Sequence, residues 1–192
     1  QSLSTAIFKY LQRNFFFMDI IAFDGNGFRV DILQKVPKHR TPDKIVVVQG
    51  GDDTINREAV SSSNVDILLD PHLGKRYDAM HQRDSGLNHV LCTLAKEHNV
   101  AIGFSFAVVL HAHNRAKLLG RMMQNIRLCR KYKVRIVIGS FAKEQSDARN
   151  VKDMQSFFRV LGMTGKEVQT NFIDERLDYK RRFIKNGVMR AK

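Results

Sequence analysis

The sequence predicts an α/β fold built on a parallel sheet or barrel. Short runs rich in Val, Ile and Leu alternate with longer stretches in which apolar residues recur every three or four positions. The runs centred on residues 46, 67, 103 and 136 are continuously apolar, which is typical of strands covered on both faces. Because strands and helices alternate along the chain, parallel pairing is favoured.

Turn residues such as Asp24-Gly25, Gly50-Gly51, Asp70-Pro71 and Gly139-Ser140 mark the ends of several predicted strands. The predicted strands are 18–23, 28–33, 45–48, 65–69, 100–106 and 134–138, and the predicted helices are 53–62, 86–98, 114–132 and 150–161. The first three strands lie too close together in sequence for parallel crossovers, which need a dozen or more residues. We therefore expect either hairpins there or a barrel that is incomplete at its N-terminal side, with helical connections missing.

The composition indicates a single domain, residues 1–192, with a polyanionic partner. Hydrophobic residues make up 43% of the chain, enough for a sizeable core, and the net charge is +13 with a pI near 10.0. Residues 113–192 form a basic C-terminal half with 20 Lys and Arg against 7 Asp and Glu, whereas residues 1–112 are formally neutral. This asymmetry indicates that the chain binds nucleic acid. The simpler alternative is that the basic residues lie on solvent-exposed helix faces without a partner.

Other classes of protein are disfavoured. No apolar run approaches the roughly 18 residues of a membrane span, and no signal peptide opens the chain. Cys92 and Cys129 lie on apolar helix stripes, so we expect both to be reduced and buried in a cytoplasmic protein. The motifs of P-loops, dinucleotide sites and hydrolase nucleophiles are absent from the sequence.

The predicted helix 114–132 combines an apolar stripe with a basic face. Its stripe of Leu119, Met122, Met123, Ile126 and Cys129 should meet the sheet. The opposite face should present cations to phosphate. The alternative is that it is an ordinary solvent-exposed helix face. That face consists of Lys117, Arg121, Gln124 and Lys131.

The segment 83–89 precedes another helix at the carboxyl end of a predicted strand, where parallel sheets carry their working loops. Asp84 or Ser85 is expected to cap this helix, and Gly86 permits another backbone to approach. Arg83 and His89 would then lie at the working face, unless the segment is a plain capping loop.

His111 and His113 have the spacing of a shared metal ligand pair, and they give the alternative of a metal-dependent phosphoesterase barrel. No companion cluster in the sequence completes such a site, because Asp70-Pro71-His72 and Glu97-His98 are isolated. We therefore expect no catalytic residue and no metal ligand in this chain.

Two spans carry a resemblance to a known family: RDSGLNHVLCTLAKEHNVAIGFSF, and NRAKLLGRMMQNIRLCRKYKVRIVIGSFAKEQSDARNVKDMQSFFRVLGM. Together they resemble protein component 3 of archaeal ribonuclease P, the homologue of the thirty-kilodalton subunit of the eukaryotic enzyme. The resemblance is close over residues 65–163 and loose elsewhere.

The resemblance implies a TIM-barrel-like parallel β/α barrel, related to the PHP-like phosphoesterase barrels. It also implies a subunit of the endoribonuclease that removes 5′ leaders from precursor tRNA. In that family the catalytic centre belongs to the RNA, which uses Mg²⁺, so this chain would bind no cofactor itself. Expected partners are ribonuclease P RNA, precursor tRNA indirectly, other ribonuclease P proteins, and a small α+β subunit in a two-plus-two heterotetramer.

Basic residues in or beside the matched motifs, with the basic helix face, are the expected RNA contacts. They are Arg83, His89, Arg115, Lys117, Arg121, Lys131, Lys143, Arg149 and Lys152.

Overall fold

The computed structural model describes residues 18–80, 82–169, 171–185 and 188–189. Seven short strands lie between residues 18 and 140 in these ranges: β1 (Ile20–Ile21), β2 (Phe28–Arg29), β3 (Asp31–Leu33), β4 (Val46–Gln49), β5 (Ile67–Leu69), β6 (Ala101–Ser105) and β7 (Ile136–Gly139). Strands β3 to β7 form one five-stranded sheet in chain order, and every pairing in it is parallel. The predicted α/β class with parallel strands is therefore confirmed.

The strands at the start of the chain also pair in parallel, so the hairpin alternative is wrong. Ile20 lies opposite Phe28, and β3 lies parallel to β4 across the segment 34–45, which contains no helix. Because β1 and β2 are two residues long, the short loop 22–27 can return the chain without a helix. A Cβ on Gly27 would come within 2.8 Å of the carbonyl oxygen of Asp19, which explains the glycine.

Strand β1 also contacts the segment that follows β7. The amide of Phe141 donates to the carbonyl of Ile20, and the amide of Ala22 donates to the carbonyl of Ala142, each at 2.7 Å. Ile21 and Ala142 form a single parallel bridge. Strand β1 therefore has backbone hydrogen bonds on both sides.

The described helices are α1 (Asp53–Val60), α2 (His89–Glu97), α3 (Phe106–His111), α4 (Arg115–Tyr132), α5 (Val151–Val160), α6 (Gly165–Val168) and α7 (Phe172–Arg182). An antiparallel pair follows, β8 (Phe183–Lys185) and β9 (Val188–Met189). Helices α1, α2, α4 and α5 match four predicted helices to within three residues. No helix in the described ranges is long and apolar enough to cross a membrane.

The two faces of the sheet belong to two separate buried clusters. Val48, Leu68 and Ile102 pack with residues of the surrounding helices, including Cys92 of α2 and Cys129 of α4. Both cysteines are buried and free, as predicted. Alternate strand residues face the other cluster, which includes Val47, Ile67, Leu69 and Val137 together with Phe172 and Leu177 of α7. The sheet is thus covered on both faces, as its apolar strands predict.

A buried ion cluster joins α7 to the amino end of β5. Asp66 is fully buried and accepts hydrogen bonds from Arg176 Nε at 2.6 Å, from Lys180 Nζ at 2.5 Å and from the Val46 amide at 2.6 Å. Lys180 also donates to the carbonyls of Thr41 and Lys44. Because the two buried cations of α7, Arg176 and Lys180, are paired with Asp66, this highly charged helix can cover the end of the sheet.

Candidate functional site

A cavity of about 890 Å³ opens at the carboxyl ends of the strands, the edge at which parallel sheets place their sites. Polar residues that end or follow β4, β5 and β6 line it, namely Gln49, Asp70, His72 and Ser105. The first turns of α4 and the segment after β7 complete the wall with Lys117 and Lys143. The cavity therefore combines a buried polar floor with an accessible basic rim.

Asp70 is the first residue after β5, and its side chain is completely buried. Its Oδ1 atom accepts a hydrogen bond from the Ser105 amide at 2.9 Å, while Oδ2 has no hydrogen-bond partner among the described residues. Burial raises the pKa of Asp70 to about 7, against the effect of the Ser105 hydrogen bond. The backbone φ of 48° is in the left-handed region, which Asp tolerates better than most residues.

His72 lies two residues further on and is also fully buried. Neither ring nitrogen has a hydrogen-bond partner in the described part of the chain, and the ring centroid is 5.8 Å from that of Phe104. Burial, with the positive charges of Arg121 and Arg76, lowers the pKa of His72 to about 3. The imidazole is therefore neutral and can offer one donor and one acceptor.

Two arginines hold the loop 71–86 above this floor. Arg76 Nη1 donates to Asp84 at 2.8 Å, and its Nη2 donates to Asp53 at 2.6 Å. Arg121 Nε donates to Asp78 at 2.9 Å and its Nη2 to the carbonyl of Arg76 at 2.8 Å. Both guanidinium groups are nearly buried, so they fix the loop.

At Gly86, the end of the loop 71–86 packs closely against Pro71 at its start. Its φ is +73°, and a Cβ there would come 1.9 Å from the carbonyl oxygen of Pro71. The expected close backbone approach at Gly86 is confirmed, but the expected cap is wrong. Asn88 caps α2 by accepting from the Leu91 amide at 2.9 Å, because Ser85 and Gly86 are engaged in the buried loop.

The paired histidines lie at the rim of the cavity. His111 is the last residue of α3, and its Nε2 is 2.9 Å from Oδ2 of Asp147. His113 also lines the cavity and is exposed. Within the described ranges, no three His, Cys, Asp or Glu side chains are grouped to hold a metal ion.

Four of the nine expected RNA-binding residues donate side-chain hydrogen bonds within the chain. Lys117 donates to the carbonyl of Arg76 at 3.4 Å, and Arg149 donates to the carbonyls of Ser146 and Ala148 at 2.7 and 2.8 Å; the other two are Arg121 and Arg115. Arg121 is 6% exposed, so its expected place on the solvent face of α4 is wrong: the loop 71–86 covers that face. Arg115 is exposed, but its guanidinium donates to the carbonyls of Val109 and Leu110 at the end of α3. On the apolar stripe, Leu119 and Met123 are half-buried, and Asn125 is buried instead.

Lys131 lies apart from the other expected RNA contacts. It is exposed near the C-terminal end of α4, about 21 Å along the axis from Lys117 at about 1.5 Å per residue. Its Nζ lies over the ring of Tyr132, 5.6 Å from the centroid.

Six of the nine, all except Arg115, Arg121 and Lys131, lie at the edge of the sheet that carries the cavity, because each follows the carboxyl end of a strand or begins a helix there. Some acidic residues near them are paired, Asp53 and Asp84 with Arg76 and Asp78 with Arg121 and Lys117, whereas Glu144 and Asp153 adjoin Lys143 and Lys152 in the chain. We call this set the basic edge: Arg83, His89, Lys117, Lys143, Arg149 and Lys152.

Sequence reasoning treated Asp70-Pro71-His72 as isolated and missed both floor residues. Their position directly after a buried parallel strand is the signal that could have found them. Arg76 and Asp78, whose hydrogen bonds hold the loop 71–86 in place, were missed as well, since nothing in the sequence shows that this loop folds back on α4.

Known proteins of one family resemble the chain. The family described as RNase P subunit p30 matches residues 30–177. Ribonuclease P protein component 3 of Methanocaldococcus jannaschii is 36% identical over 129 residues, which are 66% of this chain and 53% of that protein. The protein of the same name from Methanosarcina acetivorans is 32% identical over 161 residues, 80% of this chain and 64% of that protein.

A chain in the cryo-EM structure of archaeal ribonuclease P with mature tRNA matches with a TM-score of 0.64 and 30% sequence identity. That match covers 77% of this chain and 64% of the solved one. This chain therefore spans between about half and two thirds of the length of these relatives. Because the family match extends over most of the sequence, the chain belongs to the RNase P subunit p30 family.

Proposed function

We propose that the chain is a non-catalytic protein subunit of ribonuclease P. It binds and stabilises the catalytic RNA through the basic edge, for removal of 5′ leaders from precursor tRNA. The family match and the ribonuclease P components among its relatives support this function. Mg²⁺ would be held by the RNA, and the described residues offer no grouped protein ligands for it.

The observation that carries this proposal is the convergence of the basic edge. Its six side chains come from separate parts of the chain, the loop after β5, the starts of α2, α4 and α5, and the segment after β7. Cations held at fixed positions on one edge can contact successive phosphates of an RNA strand. Residues 113–192 supply four of the six, and this part of the chain has 20 Lys and Arg against 7 Asp and Glu, so positive charge is in excess there.

We propose a small α+β ribonuclease P protein as the protein partner, in a two-plus-two heterotetramer. The family match is the support for this partner. The helices away from the basic edge would be free for it while RNA occupies the edge.

We also propose that the sheet closes into a TIM-barrel-like barrel. Hydrogen bonds from β1 to β2 on one side and to residues 141–142 on the other support closure. The separate apolar cluster formed by alternate strand residues is the expected interior of such a barrel.

The salt dependence of RNA binding tests the basic edge. The variant Arg83→Gln/Lys152→Gln removes two exposed charges that do not line the 890 Å³ cavity. Because each phosphate contact contributes about −0.7 to −0.9 to the slope of log K against log salt, we expect the slope to become shallower by about 1.4 to 1.8. Binding of the cognate ribonuclease P RNA is measured by filter binding at several salt concentrations.

The matched control is Lys96→Gln/Arg127→Gln, which removes two exposed charges of α2 and α4 that are not among the expected RNA contacts. We expect the wild-type slope for this control. Equal slopes for both double variants and the wild type would contradict the assignment of the basic edge to RNA.

A further inference from the structure

The cavity at the carboxyl ends of the strands contains buried polar groups that contact with a phosphate does not require. An RNA backbone needs exposed cations, whereas this cavity leads from exposed cations to fully buried polar atoms. Asp70 Oδ2 and both ring nitrogens of His72 are without hydrogen-bond partners among the described residues. Buried polar atoms are nearly always satisfied in folded proteins, so these three are candidates for a ligand.

The floor offers hydrogen bonds of a defined kind. The neutral imidazole of His72 supplies one donor and one acceptor in the plane of its ring. The Asp70 carboxyl, fixed through Oδ1 by the Ser105 amide, directs a second oxygen that can accept or, when protonated, donate. Together they suit a group with adjacent donors and acceptors, such as the edge of a nucleobase or a pair of ribose hydroxyls.

The walls between floor and rim are largely apolar and would accommodate a ring. The larger apolar lining residues are Ile32, Leu69, Leu73, Val108, Leu118 and Phe141. Tyr77 also lines the cavity and is 87% exposed, so its ring is available to stack on a planar group.

The rim has an excess of positive charge. Lys75, Lys117 and Lys143 line it, whereas the rim carboxylate of Asp147 is hydrogen-bonded to His111. Lys117 Nζ lies 3.4 Å from the carbonyl oxygen of Arg76 and 4.0 Å from Oδ2 of Asp78. Its side chain is partly exposed and Asp78 is also held by Arg121, so the ammonium group can turn to an anion. A metal ion is disfavoured by this charge and by the scarcity of ligands in the described ranges.

We propose that this cavity binds a nucleoside monophosphate, with its phosphate on Lys117 and Lys143 and its polar end on Asp70 and His72. The same chemistry can come from a free mononucleotide or from one nucleotide of an RNA strand. The second source rests on the proposed function, whereas the first does not.

The test measures affinity of the full chain for AMP, GMP, CMP and UMP, and for a 5′-phosphorylated RNA tetranucleotide, by isothermal titration calorimetry. The key variant is His72→Phe, which keeps an aromatic ring beside Phe104 and removes two unsatisfied nitrogens. We expect it to fold at least as well as the wild type and to bind the nucleotide at least about tenfold more weakly.

A second variant, Lys117→Gln, separates the phosphate from the rest of the ligand. For the nucleotide that binds best, we expect Lys117→Gln to weaken the monophosphate about tenfold and to leave the corresponding nucleoside unchanged. The control Lys96→Gln should bind like the wild type, because Lys96 lies at the end of α2 outside the cavity.

Each outcome decides the proposal. If a free monophosphate binds the wild type and binds His72→Phe more weakly, the cavity is a mononucleotide site. If only the tetranucleotide binds, and His72→Phe again weakens it, the ligand is a nucleotide within RNA. Absence of binding for every probe, or equal binding by His72→Phe and the wild type, overturns it. Because Arg83 and Lys152 lie outside the cavity, their salt-slope test can succeed when this proposal fails, and the reverse also holds.

Discussion

Nη2 of Arg121 lies 2.8 Å from Oδ1 of Asp78, which joins α4 to the loop that follows β5. The same guanidinium donates to the carbonyl of Arg76, so one side chain holds the loop at two points. Burial raises the pKa of Asp78, but the hydrogen bonds from Arg121 and the Asp84 amide outweigh it and keep that pKa below its ordinary value. Arg121 is thus a structural residue beneath the basic edge.

Replacement of Arg121 tests this structural role. Arg121→Met removes charge-assisted hydrogen bonds to Asp78 and to the carbonyl of Arg76, although Asp78 keeps the Asp84 amide, so we expect a loss of about 1.5 to 3 kcal/mol in the free energy of unfolding. Urea denaturation measures it. Arg127→Met, at an exposed position of the same helix, is the control and should change stability by less than about 0.5 kcal/mol. Equal effects of the two variants would contradict the assignment.

The raised pKa of Asp70 predicts a pH dependence of stability. Between the unfolded value near 3.8 and the folded value of about 7, the native state binds the proton more tightly. Wild-type stability should therefore fall relative to Asp70→Asn as the pH rises from about 4 to 7, by an amount on the order of 4 kcal/mol. Above pH 7 the difference should be constant. Denaturation of both proteins at several pH values measures this difference. If the stability of the wild type and that of Asp70→Asn change in parallel with pH, the raised pKa of Asp70 is contradicted.

Alanine substitutions at two glycines with positive φ distinguish the cost of backbone strain from the cost of a steric clash. Gly86 faces the carbonyl of Pro71, whereas nothing lies within 4 Å of a Cβ at Gly162. We expect Gly162→Ala to cost about 1 kcal/mol, from strain alone, and Gly86→Ala to cost at least about 3 kcal/mol. Thermal unfolding of both variants measures the difference. Similar costs would show that the loop does not pack closely at Gly86.

Lys180 should stabilise the fold without any part in the basic edge. Lys180→Met removes a partner of buried Asp66 and a donor to two carbonyls, so we expect a loss of about 2 kcal/mol. Arg181→Met, on the exposed side of α7, should cost less than about 0.5 kcal/mol. Urea denaturation compares the two, and unchanged RNA affinity of folded Lys180→Met is a second expectation. A larger loss for Arg181→Met would refute the buried cluster.

Local sequence patterns predict the central strands and most helices because their signals are strong. Runs such as 45–48 and 134–138 lie within two residues of β4 and β7, since β-branched residues on a doubly covered sheet leave no alternative. Helix α4 begins directly after Asn114, the first residue of the predicted range, whose side chain caps the helix by accepting from the Lys117 amide. These features depend on residues close together in sequence.

Features that depend on distant residues are those that sequence reasoning missed. Helix α7 carries too many charges for an obvious apolar stripe, and it is stabilised by pairing of Arg176 and Lys180 with Asp66. Helix α3 has a strand-like composition, and its Ser105 cap accepts from the Val108 amide at 3.4 Å. The burial of Arg121 and the cavity floor likewise arise from loop 71–86, whose path is set by tertiary contacts.

Precursor-tRNA cleavage by the cognate ribonuclease P RNA and the remaining subunits, with and without this chain, tests the central claim most directly. The chain alone with substrate and Mg²⁺ or Mn²⁺ is the control. We expect cleavage to depend on the RNA and to be enhanced by this chain, and the chain alone to be inert. Cleavage by the chain alone, or no effect of its omission, would contradict a non-catalytic role in ribonuclease P.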